Sequence, residues 1–500
     1  MIRAELIALW MLAAGLRLLQ IAFEPAYLHP DALYQGLEPA FRAVYGHGVV
    51  SWEFKEGLRS WVWPGLLAAP FAVLHALGLA GPGQGMAWSV ALARLLPVLI
   101  DLLGLGVAMG LVRRVSTTPA VRFVGWVGAL HPAFVIMAAQ PLIDVPAATL
   151  LLSLLSVAQR SEPMNTGSDD SRRVAGAPYQ PTRSWLLGAL AAATVLLRIQ
   201  LAPAVAVVAA LWLWRHRAHV RRDPKATLLG PALAASAVVL AWGGLDWLTW
   251  GAPWHTFRAY LAYNLGQGQT AFGAMAADRY WAHFGDAVPV LRWLSLPLLL
   301  LGSRRVPWLA CAFVAIALPH QLLPYKVWRF LHPALWLWLC LTGVGVAELF
   351  AQLAASRGAS RSRRVAALVA VVTTAACGFA WHDAGVWRTT WLYHQGGDEA
   401  VRRSRGLNRA TLVASRLPRI RRVVQAVLPE AAAPGHALLG HDAAVLHPLG
   451  ARVPRGALLD RDVWFVVDGP DVHARPAGGR LLMRDWDSGV AVFQVTDNAQ

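Results

Sequence analysis

Residues 28 to 65 hold the densest set of side chains able to do chemistry. His29, Asp31, Glu38, Arg42, Glu53, Lys55, Glu56 and Arg59 fall here, interleaved with Tyr34, Tyr45, Trp52, Phe54, Trp61 and Trp63. A spacer between apolar segments has no need of that mixture. A surface that binds a polar group beside lipid does, because ionisable groups are costly near a bilayer and persist where they work. A carboxylate held within reach of a hydroxyl can take its proton. Asp31 is the best placed for this, since Pro30 restricts the chain just before it and an apolar run ends just upstream. The same position also suits the cap of a helix running from Ala32 to Tyr45, and both readings stand.

Further along, Arg59, Lys326 and Arg329 have the chemistry of phosphate ligands. Arginine offers a bidentate fork and lysine a point charge. Interfacial snorkelling uses the same residue types. Asp144 lies in a turn from Gln140 to Pro146, as a ligand or as a helix cap. Arg198 stands between two apolar runs, as a ligand or as the partner of an acid. The segment 246–284 is aromatic. Trp247, Trp250 and Trp254 fit a belt at the membrane surface. Tyr263-Asn264, Asp278-Arg279-Tyr280-Trp281 and His283 are polar as well as aromatic, which suits a sugar or a lipid headgroup. Cys311, Cys340 and Cys377 lack metal-ligand spacing and read as packing residues. No metal and no cofactor is expected.

These residues need a membrane to frame them. The 500-residue chain is 56% hydrophobic, only 15% charged, and carries 24 tryptophans, an abnormal balance for a soluble protein. Apolar runs long enough to cross a bilayer recur, giving roughly eleven spans of an all-α polytopic membrane protein. The runs are 4–23, 86–112, 123–140, 145–158, 185–197, 201–214, 226–245, 287–302, 306–319, 331–350 and 365–381. The first reads as a retained span and not a cleaved signal peptide, because no small-x-small site follows it. Residues 61–80, broken by Pro64, Pro70 and His75, suit either a short span or a helix lying in the interface.

The net charge of +17 brings no nucleic-acid motif with it. Its arginines cluster between spans, where they orient helices and meet anionic lipid. If 61–80 does not cross, the basic stretches 113–122, 159–184, 215–225, 303–305 and 357–364 share the cytoplasmic face. The 28–60 loop, Asp144, Arg198, the 246–284 segment and Lys326–Arg329 then share the other. The chain divides into a transmembrane core, 1–381, and a small mixed α/β extramembrane domain, 382–500, on the non-cytoplasmic side. Val463–Val467 and Gly489–Phe493 look like strands there.

Taken together, these stretches resemble the polytopic alpha-mannosyltransferases that build GPI anchors and dolichol-linked glycans. The first piece is His29-Pro30-Asp31 with Gln35, Glu38, Tyr45-Gly46, Trp52-Glu53-Phe54, Arg59-Ser60 and Pro64. The second is Asp246, Trp250-Gly251, Trp254, Tyr263-Asn264, Phe272-Gly273 and Tyr280-Trp281 with Phe284. The third is Lys326, Arg329 and Phe330. Three pieces in the right order make the likeness specific, and it covers most of residues 20–400. Ala32 stands where the family often has a second acid, and Tyr325 and Val327 replace its usual His and Glu, which bears on the substrate more than on the reaction class.

The resemblance implies a GT-C fold and an inverting transfer from a polyprenyl-phosphate-linked sugar, usually mannose, to a glycolipid or glycan. It implies Asp31 as the catalytic base, and substrate contacts from His29, Glu38, Trp52, Glu53, Arg59, Asn264, Tyr280, Trp281, Lys326 and Arg329; Asp144 and Arg198 join them as candidate substrate contacts from their own placement beside the apolar runs. The abundant alanine and arginine suit a bacterial inner-membrane enzyme acting at the outer face; in a eukaryote the corresponding place is the luminal face of the endoplasmic reticulum. A lipid-linked donor of another sugar is the near alternative. A transporter or flippase is the alternative of another class, disfavoured because no internal repeat is visible.

Overall fold

The computed structural model describes residues 3–25, 28–81, 84–160, 181–266, 275–282, 289–357, 359–382, 397–418, 420, 422–426, 436–440, 444–446, 462–467, 479–485 and 490–495. Every apolar run expected to span is helical. The helices are Arg3–Phe23, Ala87–Val115, Thr118–Leu130 with Pro132–Ala138, Asp144–Arg160, Pro181–Leu197, Ala202–Arg215, Pro224–Trp250, Pro289–Arg305, Pro307–Leu322, His332–Arg357 and Ala359–His382. Among the described residues four candidate spans are long and apolar enough to cross a bilayer alone, and the bent pair 118–138 makes a fifth. The protein is an integral membrane protein.

Two details refine the sequence expectation. The run 123–140 is not one straight helix. His131 is extended (φ −71°, ψ 129°) because it precedes Pro132, whose ring disfavours the helical conformation there, and the two halves meet at 57°. Residues 61–80 form one helix, Val62–Ala76, of 15 residues. At 1.5 Å per residue it is about 22 Å long, shorter than the roughly 30 Å hydrocarbon core.

The chain gathers into two compact units. One comprises Met1–Leu16, Val98–Ala138 and Ile143–Trp387; the other comprises Arg17–Pro97, Ala139–Leu142 and Arg388–Gln500. In the first, helices meet through glycines. A Cβ on Gly188 would sit 1.9 Å from the Pro231 carbonyl oxygen, one on Gly302 1.9 Å from that of Leu341, and one on Gly345 1.9 Å from that of Leu298. Without side chains at these points the backbones approach closely, and dispersion holds helices together where lipid offers no hydrophobic drive.

The second unit contains the 28–65 stretch and a five-stranded sheet. The strands are β1 (Arg422–Ala426), β2 (Ala444–Leu446), β3 (Asp462–Val467), β4 (Gly479–Asp485) and β5 (Val490–Val495), in the order β2-β1-β3-β5-β4. β1 runs parallel to β2 and β3, and β5 runs antiparallel to β3 and β4. The helix Gly397–Ala414 packs Leu407, Ala410 and Ala414 on Val463, Val490 and Val492. This is the small mixed α/β element expected near the C-terminus.

Candidate functional site

In the unit that carries Asp31, the approach to that residue is built from backbone outward. His29 is extended (φ −65°, ψ 143°), as the residue before Pro30 must be. Its Nδ1 accepts the Asp31 N–H at 2.9 Å, and its own N–H donates to Gln140 Oε1 at 3.0 Å. An accepting Nδ1 carries no proton, so the ring proton is on Nε2. The cap of the helix beginning at Pro30 is therefore His29. Asp31 lies two positions beyond it. It is half-buried in the first turn, where the helix N-terminus favours a negative charge.

The helix widens immediately after Asp31. Leu33–Leu37 is a π turn, closed by the Glu38 N–H on the Leu33 carbonyl. Such turns hold one residue more than an α turn and occur often beside functional groups. Glu38 is fully buried, and its Oε2 accepts the Val49 N–H at 2.9 Å. Gly48 (φ +140°) lets the chain fold over that carboxylate. Burial pushes the Tyr34 phenol up, and Glu38 adds to the shift, so Tyr34 stays protonated. Glu53 is paired with Arg59, whose Nη2 and Nε both donate to Oε1 at 2.5 and 3.1 Å. Trp52 beside them is exposed. Trp63 donates its indole N–H to the Pro141 carbonyl at 2.9 Å.

In the other unit, three of the expected residues come together. Asp144 opens the helix Asp144–Arg160 and is completely buried. Arg198 Nη2 reaches its Oδ1 at 2.9 Å and Arg329 Nη1 its Oδ2 at 3.6 Å. Arg198 sits in the extended break between the helix ending at Leu197 and the turn Ile199–Leu201. Arg329 sits in the short turn Trp328–Leu331. Both guanidiniums stand over the Phe330 ring, at 4.9 and 4.8 Å from its centre. Tyr280 belongs to the same cluster. Its hydroxyl accepts the Val327 N–H at 3.2 Å and donates to the Val327 carbonyl at 3.4 Å. Burial pushes this phenol up, opposed by that N–H and by the charges of Arg198 and Arg329. Lys326 is buried too, its Nζ donating to the Leu323 carbonyl at 2.7 Å.

The described start of the second family-like stretch is a turn joining the helices Pro224–Trp250 and His255–Leu265. Asp246 is buried and accepts the Thr256 N–H and hydroxyl at 3.0 and 2.6 Å. The helix Pro224–Trp250 stops at left-handed Gly251, and Trp254 (φ +52°) reverses the chain with its indole on the Val239 carbonyl. Asn264 donates to the Tyr260 carbonyl at 2.8 Å within one helix. Trp281 is exposed and stacks edge-on with Trp293. Phe272, Gly273, His283, Phe284 and most of the polar loop 159–184 lie outside the described residues. Among the described residues no group of three or more His, Cys, Asp or Glu side chains could hold a metal ion.

Sequence reasoning passed over two polar residues. Gln140 lies 111 positions from His29, which no spacing rule connects. Arg94 left a signal, a lone arginine inside an apolar run. It is buried and donates to three backbone carbonyls.

A model of the Alg9-like mannosyltransferase family matches residues 8–394, more than three quarters of the chain. The chain belongs to that family. GPI mannosyltransferase 3 of Yarrowia lipolytica is 25% identical over 337 residues, 64% of this chain and 58% of that protein. GPI alpha-1,2-mannosyltransferase 3 of Mus musculus is 38% identical over 64 residues, 13% of this chain and 12% of that protein. The chain thus matches less than two thirds of the length of these family relatives. A crystal structure of ArnT from Cupriavidus metallidurans bound to undecaprenyl phosphate superposes with a TM-score of 0.59 at 15% identity, covering 100% of this chain and 99% of that one. The same protein in its apo state gives 0.54. The family member described here therefore has the GT-C fold of that protein.

Proposed function

We propose that the protein transfers a mannosyl or similar residue from a polyprenyl-phosphate donor to a glycolipid or glycan acceptor, with inversion at the anomeric carbon. The observation that carries this reading is the pair of buried arginines, Arg198 and Arg329, held on Asp144 against Phe330. Guanidinium forks match phosphate oxygens. Asp31 takes the proton of the acceptor hydroxyl as its oxygen attacks the anomeric carbon. The bond from that carbon to the phosphate oxygen breaks, and a phosphodiester with one negative charge becomes a phosphomonoester with two. That second charge is what Arg198, Arg329 and Lys326 stabilise, and the anionic leaving group needs no general acid. Side-chain cations supply the positive charge, so the reaction as proposed requires no metal or cofactor. Arg59, paired with Glu53, is assigned no donor contact.

The names of the GPI mannosyltransferase relatives support mannose and a glycolipid acceptor. The undecaprenyl phosphate bound to ArnT supports a polyprenyl-phosphate donor. The basic loops support action at the non-cytoplasmic face. The test offers the protein, in nanodiscs with a cellular glycolipid extract, radiolabelled mannose on polyprenyl phosphate or on a nucleotide. Only the lipid-linked donor is expected to label the extract. Arg329→Ala removes a charged hydrogen bond worth about 1.5–3 kcal/mol, so the KM for that donor rises roughly tenfold or more. Equal use of the nucleotide donor overturns the reading.

A further inference from the structure

We propose that the helix Gly397–Ala414 sets the position of Asp31 through a line of polar contacts, with Arg405, Arg409, Glu24 and Arg94 as positioning residues. The inference rests on the reading of Asp31 as the base. Every contact in it lies within one compact unit.

The line starts at the helix. Leu407, Ala410 and Ala414 follow helical spacing and face the sheet. Arg405 and Arg409, one turn apart, face the other way, and both reach Glu24 Oε2, at 2.8 and 3.7 Å. Glu24 is the first residue beyond the helix Arg3–Phe23. Its carbonyl and that of Pro25 accept from Arg94 Nη1 at 2.8 and 3.1 Å. Arg94 Nε donates to the Ala139 carbonyl at 2.7 Å. The next residue, Gln140, accepts the His29 N–H, and His29 accepts the Asp31 N–H.

One buried guanidinium thus fixes both supports of His29: the chain that leads into it and the turn that bonds it. A guanidinium cannot shed its charge in a protein interior, so it holds its carbonyls firmly. The helix is docked a second time through Ser415, whose Oγ accepts the Met86 N–H at 3.3 Å, one residue before the helix that carries Arg94. A base displaced by about 1 Å loses on the order of a hundredfold in rate, so distant contacts of this kind are felt in turnover.

The experiment measures kcat and donor KM for Arg405→Ala/Arg409→Ala in the wild-type and the Asp31→Asn backgrounds. The charge swap Glu24→Arg/Arg405→Glu and its two single variants accompany it. In the wild-type background kcat should fall roughly ten- to hundredfold with donor KM unchanged. In the Asp31→Asn background it should fall no further, because the contacts act through a base already lost. Each single charge reversal should slow turnover and the swap should restore it, which also serves where the double alanine variant does not fold. Unchanged kcat, or the same fold-loss in both backgrounds, overturns the inference. Near-normal turnover of Asp31→Asn overturns the base reading itself; a slow Asp31→Asn beside an unaffected Arg405→Ala/Arg409→Ala overturns this inference alone.

Discussion

Asp31 and Asp144 are the same side chain in two regions put to different work. Asp144 is wholly buried, and an arginine stands on each of its oxygens. Its charge holds two longer cations in place. Asp31 is half-buried in a helical first turn whose cap is supplied by His29. Its backbone N–H is held by the His29 ring, which fixes where the side chain leaves the helix. In the proposed reaction the wholly buried aspartate organises and the half-buried one reacts.

The largest expected effect tests the reacting half of that contrast. Asp31→Asn keeps the shape and removes the base, so turnover should fall on the order of 100- to 10,000-fold with folding intact. An Asn variant that transfers sugar at close to the normal rate would make the two aspartates alike. The organising half comes next. Asp144→Asn leaves two buried guanidiniums around a neutral amide, and breaking such a pair costs about 3–5 kcal/mol. A marked loss of thermal stability in detergent is the expected result, and an unaltered melting profile would remove Asp144 from the frame. The smallest effect belongs to Arg59. Its partly exposed pair with Glu53 is worth about 0.2–1 kcal/mol, so Arg59→Ala should barely lower the melting temperature and leave donor KM unchanged. A large rise in KM would return Arg59 to the phosphate ligands and blur the contrast.

Spans were legible because burial in lipid demands long apolar runs, and each such run is helical, the one over 123–140 as a bent pair. Asp144, Arg198 and Arg329 were legible as polar residues in costly surroundings, and Arg198 was open to pairing with an acid, which is where it sits. What joins them was not, because 54 residues separate the first two and 131 the next, and no helical period links such positions. His29 as a cap was hidden for another reason. Capping surveys favour Ser, Thr, Asp and Asn, so the rule pointed at Asp31 and past the histidine two residues earlier. Asn264 was legible as a polar residue among aromatics, and its amide donates to the Tyr260 carbonyl; Asp246, legible only through the family-like stretch, accepts from Thr256. Arg94 and Gln140 needed tertiary contacts to be understood at all.

The π turn after Asp31 constrains how this stretch can change over time. Leu33–Leu37 holds one residue more than an α-helical turn. The surplus is taken up within the wide turn, so the helix faces on either side of it stay in register. Glu38 thereby keeps its carboxylate on the Val49 N–H, and Phe41 keeps the face where it stacks on Tyr45 and meets Phe71. Losing one residue from 33–37 would let the turn close as ordinary helix with those faces kept, whereas a deletion within the following helix, Glu38–Tyr45, would rotate everything beyond it by about 100°. Among lineages that keep this loop, single-residue gaps should therefore be found within 33–37 more readily than within 38–45.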